Sequence, residues 1–287
     1  MFFESLTPAL VYGMLPPRDD GCDKTGFGRL LSICGSRNMP GAAVLSCGGA
    51  LRSGVGLCNV AAPESVCRSV STHFPGAVLN ILPEAPDGGF EPACAEDIRN
   101  VLHHYSAVLF GCGVGLTDGG RAALEMLLKN CTAPLVIDAD GLNLLCEDIS
   151  LLKSARCPVV LTPHARELKR LLSACSLPDA QTLAKEYGVT LVSKSACTEI
   201  YGSKNYLLCA PNSALAKGGS GDILAGITAS LLAQGASPVN AAAAGVYIHS
   251  QAGRIASEMH GARSVLVTDI LDSLSIAFCE LEENEED

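Results

Sequence analysis

The sequence predicts an α/β protein built on a mostly parallel central sheet, and three observations carry that expectation. Short apolar runs alternate with helix-like segments from Leu30 onward, which is the pattern of βαβ units. Each run ends in a small, polar or glycine-rich stretch, as strands do where ligands approach an open sheet. A hydrophobic content of 48% with 29 glycines and no tryptophan suits an alanine- and glycine-rich core.

In chain order, strands are expected at residues 29–34, 56–61, 77–81, 107–110, 134–138, 158–162 and 189–194. Helices are expected between them at 41–52, 63–72, 119–129, 141–146 and 166–172. After Lys194 the alternation stops. Residues 198–201 and 205–209 flank Gly202-Ser203-Lys204 and read as a hairpin on the sheet's edge. Two long apolar helices follow at 222–233 and 238–256, and a last one at 268–279 leads into an acidic end. No linker, low-complexity tract or internal repeat interrupts the chain, so one domain over residues 1–287 is expected, with 280–287 as a frayed, solvated tail.

The formal charge of −10 is concentrated in that tail, where six acids leave the body at about −4. No Lys/Arg stripe is visible, which argues against nucleic-acid binding. The 14 cysteines include no CxxC pair, the spacing that zinc ribbons and redox sites use. Most, such as Cys34, Cys47, Cys112 and Cys209, sit inside apolar runs and read as reduced core residues of a cytoplasmic protein. The sequence has neither a secretory leader pattern nor an apolar run long enough to span a membrane.

Chemistry concentrates before the first long helix, where the chain reads Ala216-Lys217-Gly218-Gly219-Ser220-Gly221-Asp222. Glycines let successive amides converge on one point and the helix dipole adds to them, so the loop suits phosphate oxygens. Asp222 would repel such an anion. The conflict disappears if it is a base that takes a proton from a substrate hydroxyl as a phosphoryl group arrives. An acid in a first helical turn is also good capping, and from these residues alone both readings stand.

No Walker A loop is present, and Gly111-Cys112-Gly113-Val114-Gly115 departs from a dinucleotide-binding fingerprint and falls mid-chain. A strand, a hairpin and a GGSGD loop opening a helix, late in an α/β chain, instead resemble the ribokinase-like superfamily. Within it the chain is similar to the NAD(P)H-hydrate dehydratase family over nearly its whole length. The motifs are Gly35-Ser36-Arg37-Asn38-Met39-Pro40-Gly41-Ala42-Ala43, Gly111 to Gly115, Asp138-Ala139-Asp140-Gly141-Leu142-Asn143, Thr162-Pro163-His164-Ala165-Arg166-Glu167, Lys194-Ser195-Ala196-Cys197-Thr198 and the glycine loop. Each is weak singly; six in the family's order are specific.

The resemblance implies a three-layer α/β/α sandwich and a repair reaction on the S epimer of hydrated NADH or NADPH. ADP or ATP, with Mg²⁺, phosphorylates the C6 hydroxyl, and the ring nitrogen's electron pair then expels phosphate. It implies Asp222 as base, with amides of Gly218, Gly219, Ser220 and Gly221 as the anion hole. Lys194, Ser195, Ala196, Cys197, Thr198 and Gly221 would contact the nucleotide, and Ala42, Gly113, Gly115, His164 and Asp222 the substrate. Glu167 would help order Mg²⁺, and Asp138, Asp140 and Asn143 could organise metal or phosphate, although Asp140 could equally cap the next helix.

The chain departs from the family pattern at Ser195, which replaces a glycine, at Ala165-Arg166, which replace Pro-Gly, and at Cys112, which replaces a proline and reads as a buried small residue. The family also implies a homotetramer, and the early start of the motifs implies a separate epimerase. Two alternatives stay open from the residues: a kinase of a small alcohol such as a thiamin or pyridoxal precursor, and a nucleotide-binding sensor without turnover. The donor, ADP or ATP, is open as well.

Overall fold

The computed structural model describes residues 2–283. The first half runs β1 (Glu4–Ser5), α1 (Pro8–Tyr12), β2 (Arg29–Ile33), α2 (Pro40–Arg52), β3 (Leu57–Ala62), α3 (Glu64–His73), β4 (Val78–Ile81), α4 (Cys94–Val101), β5 (Ala107–Phe110) and α5 (Asp118–Asn130). The second runs β6 (Leu135–Ile137), α6 (Asp140–Leu145), β7 (Val159–Leu161), α7 (Ala165–Cys175), α8 (Ala180–Tyr187), β8 (Thr190–Ser193), β9 (Cys197–Tyr201), β10 (Tyr206–Cys209), α9 (Ser220–Ala233), α10 (Pro238–His260) and α11 (Val267–Glu283).

All ten strands form one sheet in the order β1-β10-β9-β8-β7-β6-β5-β2-β3-β4. From β8 to β4 every neighbouring pair is parallel; only β9 runs antiparallel to both of its neighbours. Helices cover both faces, which is why the strands read as apolar runs rather than alternating ones. Along β2, Leu30 points into a core shared with α2, α9 and α10, while Leu31 and Ile33 point into a core shared with α4, α5 and α8. Val136 and Val160 repeat the first direction, and Leu135, Ile137, Val159 and Leu161 the second. The arrangement is the expected three-layer α/β/α sandwich.

Four short elements differ from the sequence expectation. The sheet's edge beside the hairpin is β1, two residues paired parallel to β10 through Glu4 and Ser5, so the hairpin is not the outermost element. Helices α1, α4 and α8 also lack a strong sequence signal, because each buries no more than three side chains, such as Val11 on α1 and Cys94 and Ile98 on α4. Helix α11 continues to Glu283, with Leu281 buried and Glu280 2.5 Å from Arg254, so the acidic end begins in helix; residues 284–287 of the expected tail lie outside the described residues.

The cysteines are corrected in one respect. Cys197 and Cys209, directly paired across β9 and β10, form a disulfide, so not every thiol is reduced. Twelve remain free, seven of them buried.

Helices α2 and α9 lie backbone to backbone. A methyl group at Gly49 would stand 2.6 Å from the Ile223 carbonyl oxygen, and one at Gly226 would collide with the Ser46 carbonyl. Gly219 lies against the Leu45 side chain, so the two helices run side by side and both begin at the same end of the sheet. Among the described residues no helix is long and apolar enough to cross a membrane.

Candidate active site

Sheet order locates the site. Connections from β2 move toward β4, whereas those from β5 move toward β8, so the chain reverses direction between adjacent β2 and β5. Open α/β sheets bind ligands beyond the strand ends at such a reversal. Gly35 follows β2 and its amide donates to the carbonyl oxygen of Cys112, which follows β5, at 2.7 Å. Gly113, at φ +67°, has no room for a side chain because a methyl there would stand 2.7 Å from Ala42 Cβ. Gly115 donates its amide to Asp140 Oδ2 at 2.9 Å. Ala42, Gly113 and Gly115 are thus brought to one place, the mouth between β2 and β5.

The loop before α9 closes over this mouth. Gly219 caps the helix at φ +92°, a conformation open to glycine without strain. The amides of Gly218, Gly219, Gly221 and Asp222 donate to no backbone carbonyl, whereas that of Ser220 reaches the Lys217 carbonyl at 3.3 Å. First-turn amides lack intrahelical acceptors and carry the positive end of the dipole. Three of the four anticipated donors therefore have no backbone acceptor, and the Asp222 amide has none either. The Ser220 hydroxyl instead lies 2.9 Å from His249 Nε2 of α10, both groups buried.

Asp222 sits in a crowd of acids. Its carboxylate, one carboxylate oxygen of Asp138 and the Cys112 sulfur lie within 4.8 Å of one another. Burial first, and the Asp138 charge second, push the Asp222 pKa up to about 7, against the pull of the Cys112 thiol and of Lys194. A carboxylate poised there exchanges protons readily near neutrality. Asp138, 1% exposed at the end of β6, gives Oδ1 to the Lys194 ammonium at 2.8 Å, while Oδ2 accepts no hydrogen bond. Burial opposes the charge on Lys194, but Asp138 beside it prevails and holds the ammonium above its ordinary pKa. Between β6 and α6, Ala139 takes φ +50°, a strained conformation for a residue with a side chain.

The remaining anticipated residues flank this centre. Lys194 follows β8 and pairs with His164, after β7, as an isolated parallel bridge. Ser195 and Thr198 bind each other in a tight turn: the Ser195 amide donates to Thr198 Oγ1 at 3.3 Å, and that hydroxyl donates to the Ser195 carbonyl at 3.0 Å. Ser195 does not take a positive φ, so the side chain it carries in place of glycine causes no backbone strain. A hollow of about 470 Å³, lined by Leu168, Leu172, Ser193 and Ser195, opens beside Lys194.

His164 and Glu167 form a capping box at the start of α7. His164 Nδ1 accepts from the amides of Arg166 and Glu167, and Glu167 Oε2 accepts from the His164 amide at 2.9 Å. Nδ1 therefore carries no proton, and a neutral ring holds it on Nε2, 3.3 Å from Glu167 Oε1. Burial raises the Glu167 pKa, and burial with the nearby Lys194 charge lowers that of His164. Glu167 thus spends Oε2 on the cap, and Asp138 Oδ2 is an oxygen open to a hard cation.

Sequence reasoning passed over three features: the Lys194–Asp138 pair, the approach of Cys112 to Asp222, and His249. The one available signal was His249, a lone imidazole in the apolar stretch of α10.

Known proteins resemble this chain in sequence and fold. A family model described as NAD(P)H-hydrate dehydratase matches residues 30–275. The bifunctional NAD(P)H-hydrate repair enzyme of Moorella thermoacetica is 33% identical over 290 residues, covering 98% of this chain and 55% of its own length. The chain spans about half the length of the curated relatives it matches. Among solved structures, a ribokinase-like superfamily protein from Enterococcus faecalis is 27% identical with a TM-score of 0.83 and 98% of both chains covered. The Bacillus subtilis ADP/ATP-dependent NAD(P)H-hydrate dehydratase, co-crystallised with ATP and Mg²⁺, is 27% identical with a TM-score of 0.82, covering 98% of this chain and 99% of that one.

Proposed function

The chain belongs to the NAD(P)H-hydrate dehydratase family, and from that premise we propose that it restores NADH or NADPH from the S epimer of its hydrate in a nucleotide-dependent dehydration. The observation that carries the reading is the pairing of Asp222, its pKa pushed up to about 7, with the free amides of Gly218, Gly219 and Gly221 on the same turn. A base and an anion hole on one turn suit a hydroxyl attacking a phosphoryl group.

In this reading Asp222 takes the proton of the C6 hydroxyl as its oxygen bonds to the terminal phosphorus of ADP or ATP and AMP or ADP leaves. The loop amides hold the charge on the phosphoryl oxygens. The ring nitrogen's electron pair then breaks the ester at carbon and expels inorganic phosphate, and loss of a proton from C5 to solvent restores the C5–C6 double bond. Ala42, Gly113 and Gly115 let the dihydronicotinamide lie against backbone, and His164 lines its path. Lys194 and residues 195–198 take the nucleotide, with Gly221 beneath it. Mg²⁺ fits the donor set through Asp138 Oδ2, an unbonded hard oxygen, and when bound it would neutralise phosphate charge. Glu167 positions His164.

We also propose one domain over the chain, a homotetrameric assembly and a cytoplasmic location. An epimerase activity, in this polypeptide or another, would supply the S epimer; the curated relatives are named as bifunctional repair enzymes.

The test mixes the protein with hydrated NADH, Mg²⁺ and either ADP or ATP and follows the absorbance of the restored dihydronicotinamide. Recovery with one or both donors is expected. No recovery with either overturns the proposal.

A further inference from the structure

The Cys112 sulfur and the carboxylates of Asp138 and Asp222 form a mixed set of ligand atoms within 4.8 Å of one another. We propose that this trio is a binding site for a thiophilic divalent cation of the Zn²⁺ class, which takes the same Asp138 oxygen as the Mg²⁺ read above and so competes with it.

Four features support the site. First, its chemistry is one thiolate and two carboxylate oxygens, a set that favours Zn²⁺ or Co²⁺ over Mg²⁺, which seeks six oxygens. Second, the charge balances: with the thiol deprotonated, three negative groups face the single ammonium of Lys194, and a divalent cation cancels the remainder. Third, Asp138 is 1% exposed and spends Oδ1 on Lys194, which leaves Oδ2 as the oxygen of that carboxylate open to a cation. That oxygen is 3.7 Å from where a Gly221 methyl would be, which sets it against the turn bearing Asp222. Fourth, Cys112 and Asp138 are buried whereas Asp222 is partly exposed, which gives a cation a route in past the carboxylate.

Ligand atoms of a tetrahedral Zn²⁺ stand about 3.5 Å apart, so the three atoms draw together on binding, with water as fourth ligand. On binding, the metal–sulfur bond replaces the S–H bond and the proton passes to solvent. No oxidant is needed. The site exists here because a cysteine stands where the resembled family carries a proline, which has no ligand atom.

A cation so held ties up the carboxylate read above as the base. On that reading the enzyme is inhibited by micromolar Zn²⁺ and recovers with a chelator. The binding itself is independent of that reading.

The test titrates the full chain with Co²⁺ in the absence of nucleotide and substrate and records absorption. Expected are one Co²⁺ per chain and a near-ultraviolet sulfur-to-cobalt charge-transfer band. Cys112→Ser should abolish the band and weaken binding at least tenfold, Asp222→Asn should weaken binding while keeping the band, and Cys94→Ser, on the other face of the sheet, should leave both in place. Thermal melts confirm that each variant is folded. Absence of the band in the unmodified chain, or its persistence in folded Cys112→Ser, overturns the site, as does its loss in Cys94→Ser alone. Because neither nucleotide nor hydrate is present, these outcomes leave the dehydratase reading untouched, and failure of that reading leaves the site standing.

Discussion

Lys194 reaches across the end of β7 to meet Asp138 at 2.8 Å, and so ties the end of β8 to the strand that ends beside Asp222. The side chains are 18% and 2% exposed, so neither charge has water enough to stand alone.

Removing either partner of a buried pair strands the other. Lys194→Met and Asp138→Asn should each destabilise the fold by about 3 kcal/mol, and the double variant should recover much of that. They should move the acid limb of the pH–rate profile in opposite directions. Lys194 lowers the Asp222 pKa and Asp138 raises it, so Lys194→Met moves the limb to higher pH and Asp138→Asn to lower pH. Urea melts and pH profiles of the three variants check both statements.

Asp222→Asn should lower the rate by about 10²–10⁴-fold with nucleotide binding retained. It should also raise stability at neutral pH. The folded pKa of about 7 lies above the ordinary 3.8, so between those values the folded chain binds more protons than the unfolded one, and stability falls as pH rises. The variant escapes that loss. Its advantage, on the order of 2 kcal/mol at pH 8, should vanish toward pH 4 in unfolding measurements across that range.

His249 contributes the reverse slope. Burial, reinforced by the Lys194 charge, holds its pKa down to about 4 against an ordinary 6.5. Over that window the unfolded chain binds more protons, so this contribution is present above pH 6.5 and is lost on acidification. His249→Gln, which can still bond Ser220, should lose about 2 kcal/mol less than the unmodified chain between pH 7.5 and 4.5. Paired urea titrations at the two pH values read the difference directly.

The glycine loop should respond position by position. A methyl at Gly218 meets nothing within 4 Å, so Gly218→Ala should leave melting unchanged. Gly219→Ala adds strain at φ +92° and a clash with Leu45, a loss of about 2–3 kcal/mol. Gly221→Ala is unstrained but brings its methyl to 3.3 Å from Lys194 Nζ. It should fold nearly as well as the parent and lose activity. Calorimetry beside the dihydronicotinamide assay separates the three.

Much of the fold was legible because a sheet buried on both faces writes its strands as apolar runs, as in Leu30 to Ile33 and Val159 to Leu161. What was missed is short or thinly anchored. Strand β1 pairs through two residues, and α4 shows the core only Cys94 and Ile98. The candidate site was legible in its pieces, each piece being the end of one strand. Their contacts were not, because Lys194 and Asp138 are 56 positions apart and meet only once strand order sets β7 between them. His164 and Glu167 show the limit from the other side: the pattern was visible, and the structure uses it to begin a helix.

The pressing of α2 against α9 carries a consequence for how such a protein can change over generations. Ala42 stands in the first turn of one helix and Asp222 in the first turn of the other, and main chain meets main chain between them at Gly49 and Gly226. At those two positions no side chain intervenes whose trimming or growth could widen or narrow the gap. The spacing between Ala42 and Asp222 is therefore set by main chain, which substitution on the outer helix surfaces leaves alone. With Asp222 as the base proposed above, a lineage drifting toward a bulkier alcohol would have to rebuild its loops while this spacing stayed as it was.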